Sequence, residues 1–239
     1  MHRISYILVF FIFTLSCTKD AVKQTIPPDI SALERFFIVF EKDMANTSKV
    51  ITEQELVKNL THLQRMNFGG NRYYPLEREA LTKMIRELAS YDYSECVLIN
   101  KSGTIIYSMI DDKLLSIKAE TLTRNIGIVF NHTKAGTPYI FDTSVFPVLS
   151  GDHRILFGMP VVRGTETEGV IIAALKTADA VRVSGVTKSI IDSDGVIRLD
   201  PDDTKILTQC EECSSIEEIQ KNYTPFSYRN LQWFVRTGK

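Results

Sequence analysis

The stretch CVLINKSGTIIYS, residues 96–108, decides how the rest of the chain reads. It divides into two short apolar runs, 96–100 and 104–107, joined by Lys101, Ser102 and Gly103. Gly103 can adopt positive φ without steric cost, so the pattern predicts a β-hairpin with a tight polar turn. The same design returns at 189–200 as SIIDSDGVIRLD. Leu98 falls on Ile190, Ile99 on Ile191, Asn100 on Asp192, Gly103 on Gly195 and Ile105 on Ile197. Two hairpins in matching register imply two related modules.

Upstream of the first hairpin the apolar period is helical. Ser31 and Glu34 have capping-box spacing, and Ile30, Leu33, Phe36 or Phe37, Phe40 and Met44 form one stripe. Asn46-Thr47-Ser48 interrupts it, and Thr52 with Glu55 predicts a second helix through Leu56, Leu60, Leu63 and Met66. Gly69-Gly70 marks a turn, and Pro75 suits the start of a third helix carrying Leu76, Ala80, Met84, Ile85 and Leu88. Downstream, the segment 111–130 is expected to contain a helix with Leu114, Ile117, Leu122 and Ile126 as its apolar positions, followed by a loop at 131–137. Candidate strands follow at 138–146, 155–162 and 169–176. This order implies an α+β fold: a long helical lead, 29–90, then an antiparallel five-stranded sheet with helices on one side, 91–177. The second module, 178–239, is smaller and reduced, with a hairpin at 187–199, a short helix at 214–221 and strands at 226–228 and 233–236. Its size predicts that it leans on its neighbour.

The chain has 239 residues, 44% of them hydrophobic and 24% charged, which is globular composition. A net charge of −1 supplies no electrostatic reason to expect a nucleic-acid partner. The N-terminus stands apart. His2 and Arg3 precede an apolar run of about a dozen residues, then Ser16 and Cys17, which describes an export signal at 1–16. The run is shorter than the roughly 20 apolar residues that span a bilayer. No later run approaches that length, so the mature chain is expected to be soluble beyond its N-terminus. Residues 17–28 read as a polar tether ending in Pro27-Pro28.

Cys210-Glu211-Glu212-Cys213 has the spacing of a small disulfide loop, and Cys96 reads as a buried apolar residue. Two glutamates between the thiols disfavour a thioredoxin-type site, and no further ligand pair exists for zinc. The acidic run Asp192-Ser193-Asp194-Gly195 leads into an apolar strand, which makes it a turn rather than a calcium loop. No GxSxG, HExxH or glycine-rich phosphate loop occurs, and His132 and His153 lack a partnered nucleophile. Neither an enzyme, nor a metal, nor a cofactor is expected.

Two resemblances add to this reading. Residues 1–17 resemble a bacterial lipoprotein signal, with Cys17 as the lipidated residue; an ordinary cleaved signal is the alternative. The helical lead, then VLINKSGTIIYS, then FGMPVV and EGVIIAALK, resembles the extracytoplasmic Cache family of PAS-like sensor domains over about residues 30–236. The segment from Asn100 to Ile106 matches that family's first turn, Pro160-Val161 and Gly169-Val170-Ile171 its late strand pair, and IIDSDGVI the opening of its membrane-proximal module. The resemblance implies a small-molecule pocket in the membrane-distal module, lined here by Tyr107, Arg124, Tyr139, Phe141, Asp142, Arg154 and Phe157. Arginine offers a fork to a carboxylate and aspartate accepts from an amine, so the ligand is expected to be one of these. The arginine-plus-tryptophan signature of amino-acid binders is not matched, and Trp233 falls in the second module, away from these residues. The implied protein is a bacterial, extracytoplasmic, membrane-anchored lipoprotein that captures a ligand for sensing or presents it to a membrane receptor partner. The alternative is a structural or protein-interaction lipoprotein that keeps the fold without the pocket.

Overall fold

A computed structural model describes residues 28–66, 73–110, 112–121, 124–145, 152–213 and 215–237. The export signal, Cys17, most of the tether and the Gly69-Gly70 turn lie outside the described residues. Among the described residues no helix is long and apolar enough to cross a membrane.

The helical lead begins with α1, Pro28–Glu53, whose stripe of Leu33, Phe36, Phe37, Phe40, Met44 and Ile51 is buried. It does not break at Asn46-Thr47-Ser48. The Thr47 hydroxyl donates back to the Asp43 carbonyl of its own helix (2.9 Å), and the Ser48 hydroxyl donates to the Pro160 carbonyl (2.7 Å), which docks the helix on a strand. The chain turns at Glu55, with φ of 54°, into α2, Leu56–Arg65. Thr52 therefore caps nothing and donates back to the Ser48 carbonyl. Ser31 likewise lies inside α1 rather than at its cap. Pro75 sits in the first turn of α3, Tyr74–Leu88, as its spacing predicts. That helix buries Tyr74, Leu81 and Ile85, while Leu76 faces solvent.

The sheet has five antiparallel strands in the order β2-β1-β5-β4-β3. These are β1 (Glu95–Asn100), β2 (Ile105–Ser108), β3 (Tyr139–Val145), β4 (His153–Arg163) and β5 (Glu166–Lys176). Helices cover both faces, not one. The helical lead lies over Leu98, Phe157, Ile171, Ala173 and Leu175. On the other face α4, Arg124–Thr133, places Ile126, Val129 and Phe130 over Val97, Ile99, Leu156, Val170 and Ile172. The unbroken apolar runs VLI and VIIAAL are the sequence trace of this, since a strand buried on both sides does not alternate. The helix expected within 111–130 does not run through Leu114 and Ile117: a 3-10 turn at Asp112–Leu114 precedes α4, which extends past the segment to Thr133. The fit of α4 is close: a Cβ on Gly158 would lie 2.4 Å from Thr133 Oγ1 and 2.5 Å from Val129 Cγ1.

After α5, Thr177–Ser184, a second sheet runs β7-β6-β9-β8, the order of the first without its outer strand. Its strands are β6 (Ile190–Ile191), β7 (Ile197–Leu199), β8 (Tyr223–Tyr228) and β9 (Leu231–Arg236). The echo of the two hairpins holds in atomic detail. Gly103 (φ 79°) donates to the Asn100 carbonyl and Gly195 (φ 75°) to the Asp192 carbonyl. Asn100 Oδ1 accepts from the N–H groups of Ser102 and Thr104; Asp192 Oδ1 accepts from those of Asp194 and Val196. The repeat extends past the strands. Ser116 (φ 67°) donates to the Ile105 carbonyl, and Leu207 (φ 64°) to that of Ile197.

What lies beneath each turn differs. Gly103 packs on the Phe130 ring, whereas Gly195 packs on Cys213, which is joined to Cys210 by a disulfide. Both sulfurs are buried, with the Tyr223 hydroxyl 3.3 and 3.5 Å away. Replacing both cysteines by serine is expected to cost about 2 kcal/mol, the loop-closure entropy of so short a ring. Urea unfolding of the double variant measures it; an unchanged midpoint would show the bridge to be dispensable. The rest of the module is a short helix, α6 (Ile216–Asn222), capped by Ser215, and the β8–β9 hairpin laid against α1. Phe37 of α1 meets Phe226, Tyr228 and Trp233, so one core runs through both sheets.

Candidate functional site

Strand alternation separates the seven nominated residues. Tyr107 and Phe157 face the helical lead. Both are fully buried; the Tyr107 hydroxyl meets Thr82 Oγ1 at 2.9 Å, and Phe157 packs on Phe40. They are core residues there, not pocket walls. Asp142 faces the second module, where its Oδ2 accepts from the Trp233 indole N–H at 3.0 Å. Arg198 Nε lies 3.4 Å from the same oxygen. Trp233 is thus a direct neighbour of the nominated set, and the carboxylate expected to greet an amine already has protein donors. Arg124 opens α4, and its side chain lies outside the described residues.

Tyr139, Phe141 and Arg154 remain on the α4 face. Register sets them in rows: Tyr139 opposite Gly158, then Phe141, Leu156, Ala174 and Glu95 across four strands, then Arg154 beside Lys176. Tyr139 and Phe141 are half-buried, and the Tyr139 ring stacks on His132 at 4.3 Å. Arg154 is 4% exposed. Its Nη1 donates to Ser94 Oγ at 2.8 Å and its Nη2 lies 3.5 Å from Asp152, which also holds Lys176 at 2.8 Å. Burial pulls the guanidinium pKa down, and the carboxylates of Asp152 and Glu95 oppose that.

Glu95 is the residue that sequence reasoning missed. It is 2% exposed, and its Oε1 accepts from the backbone N–H groups of Cys96 (2.8 Å), Met109 (2.8 Å) and Ile110 (3.3 Å). Its Oε2 accepts from the Ser108 hydroxyl at 3.2 Å. Burial pushes its pKa up, and these donors pull it partly back. The available signal was a lone acidic residue heading an apolar strand. Chemically, this face carries a fixed guanidinium and a second cation sharing one carboxylate with it at one end, and the rings of Phe141 and Tyr139 in successive rows along the strands. That set suits a small anion with an apolar part.

An open groove of about 710 Å³ lies elsewhere, between α2 and the turns of the β1–β2 and β4–β5 hairpins; His62, Arg65, Lys101 and Glu166 are among its lining. Among the described residues no cluster of His, Cys, Asp and Glu is arranged to hold a metal.

No family model matches the chain, and no curated protein sequence matches it. Solved structures do. The ligand-binding domain of the Pseudomonas fluorescens chemoreceptor CtaA, in complex with L-valine, superposes with a TM-score of 0.58 at 11% identity, covering 88% of this chain and 93% of that one. The sensor domain of the Vibrio cholerae histidine kinase DctB gives 0.55 at 15% identity, covering 87% and 84%. An extracellular ligand binding receptor from Desulfohalobium retbaense gives 0.54 at 13% identity; 87% of this chain is covered, but only 38% of that one. At such identities the likeness is one of fold, and the chain has the α+β architecture of the Cache-type, PAS-like sensor domains.

Proposed function

We propose that this chain is a membrane-anchored extracytoplasmic domain that binds a small carboxylate on the α4 face of its first sheet, for sensing or for presentation to a membrane receptor partner. The observation that carries the reading is Arg154, a buried guanidinium beside Lys176 at the end of a face walled by Tyr139 and Phe141. A ligand carboxylate would take the place of Asp152 on the guanidinium fork. The fold supports the reading, because its structural neighbours are ligand-binding receptor and sensor domains, which fits a non-enzymatic role. The anchor in this proposal is Cys17, with 1–16 as signal and 17–28 as tether.

A thermal-shift screen of carboxylates, amines, amino acids and purines tests it. A ligand present at a hundred times its Kd should raise Tm by roughly 5–10 °C. Arg154→Lys keeps the charge but loses the fork, and should weaken that ligand about tenfold or more. No shift across the panel would favour the second reading, an interaction lipoprotein without a pocket, which the close seat of Gly158 under Val129 and Thr133 supports. Separately, Cys17→Ser is expected to move the protein from the membrane to the soluble fraction, since two or more acyl chains hold a protein where one would not. Unchanged fractionation would remove the lipid anchor from the proposal.

A further inference from the structure

We infer that β3 is a two-sided relay: the strand that edges the α4-face site is also the strand that grips the second module, so a change at the site is read at Trp233. The inference takes from the binding reading only what fills the site; the link itself stands on contacts.

Along β3 the side chains alternate. Tyr139 and Phe141 turn toward α4, while Ile140 belongs to the opposite core. The backbone of Ile140 is bound by one side chain of the β8–β9 turn. Its N–H donates to Asn230 Oδ1 (2.9 Å) and its carbonyl accepts from Asn230 Nδ2 (2.6 Å), so that amide stands in for a neighbouring strand. Register with β4 then slips between Phe141 and Ser144. Such an irregularity releases the strand locally and re-aims its side chains. At this point Asp142 takes the Trp233 N–H at 3.0 Å. Thr143 and Arg198 exchange two bonds: Thr143 Oγ1 donates to the Arg198 carbonyl (2.9 Å), and Arg198 Nη1 donates to the Thr143 carbonyl (3.0 Å).

The chain of contacts continues inward. Arg198 Nε and Nη2 donate to Asp192 Oδ2 at 3.0 and 2.6 Å. Asp192 Oδ1 is the atom that ties the β6–β7 turn together through Asp194 and Val196. A displacement of Phe141 therefore reaches the second hairpin through directional bonds: Phe141 to its neighbours Asp142 and Thr143, then to Trp233 and to Arg198, then to Asp192. The two sheets are also joined through α1, by the aromatic cluster around Phe37 and by Glu41, which accepts from Tyr228 and Arg229; these contacts lie on the face away from α4 and are made by α1, not by β3. Coupling requires an element that both sites bias, and β3 is the strand that touches both.

Trp233 is the single tryptophan of the chain and is 1% exposed, so its emission reports on the receiving end alone. The test compares two truncations on the same face in the full chain. Phe141→Ala alters β3. Val97→Ala removes buried apolar atoms from β1, which two strands separate from β3. Phe141→Ala is expected to shift the Trp233 emission and to speed hydrogen exchange of the Asp194 and Val196 amides about tenfold. Val97→Ala should leave both unchanged. Equal responses in the two variants, or none in Phe141→Ala, would overturn the relay. Should Phe141→Ala fold poorly, Phe141→Leu serves with the same criterion. The comparison uses no ligand, so an empty ligand screen would sink the binding reading and leave this result standing by itself.

Discussion

Phe37→Ala should lower stability by about 3–5 kcal/mol, the range for truncating a fully buried phenylalanine. Phe37 is 0% exposed, and its ring meets Phe36 at 5.0 Å, Tyr228 at 5.1 Å, Trp233 at 5.6 Å and Phe226 at 6.1 Å. The walls of the resulting cavity would come from a helix on one side and a hairpin of the other sheet on the opposite side. Neither can collapse inward without giving up its own contacts, so the upper part of the range is expected. Urea unfolding followed by Trp233 emission would measure the loss. The same experiment should show the Trp233 transition moving ahead of the far-UV signal, because the second module depends on this contact. A loss below about 1 kcal/mol would mean that the sheets are held together mainly elsewhere, the Asn230 and Asp142 contacts being the first place to look.

Glu95 should produce the next largest effect, and its two substitutions should differ. Glu95→Ala removes the acceptor that serves Cys96, Met109 and Ile110, at a cost of about 3 kcal/mol, chiefly for the buried Cys96 and Met109 donors left short of a partner. Met109 retains the Cys96 carbonyl, which limits the loss. Glu95→Gln keeps an acceptor oxygen and should cost about 1 kcal/mol. The pH dependence follows from burial. The folded-state pKa of Glu95 is raised, so the fold binds its proton more tightly than the unfolded chain does. The stability this residue contributes is full at acid pH, below the unfolded pKa, and is lost as pH rises through the folded pKa. The stability gap between wild type and Glu95→Gln should therefore narrow from acid to neutral pH. A gap that widens instead would show that the hydrogen bonds to the carboxylate outweigh its desolvation.

The two hairpins are legible in the sequence because what specifies them is local: alternation, a polar turn and a glycine at each positive φ. The continuity of α1 is not, because Thr47 and Ser48 look like a break until Pro160 is seen to accept the Ser48 hydroxyl from 112 positions away. The sidedness of the site was partly legible. Adjacent strand residues such as Phe141 and Asp142 face opposite ways, and an odd spacing such as Arg154 to Phe157 does the same, so the seven could not all have lined one pocket. The Asp142–Trp233 bond was not legible, since nothing local couples residues 91 positions apart.

The apolar face of α1 also constrains the order in which the molecule can be assembled. Glu41 waits for Tyr228, 187 positions later, and Phe37 waits for Trp233 beyond it. Such distant pairings make for slow folding. A growing chain therefore leaves the Phe37 side of its 26-residue helix uncovered until its last hairpin arrives. Holding that helix apart from other chains in the meantime is work for a chaperone, and a chain stopped short of residue 223 should aggregate rather than fold.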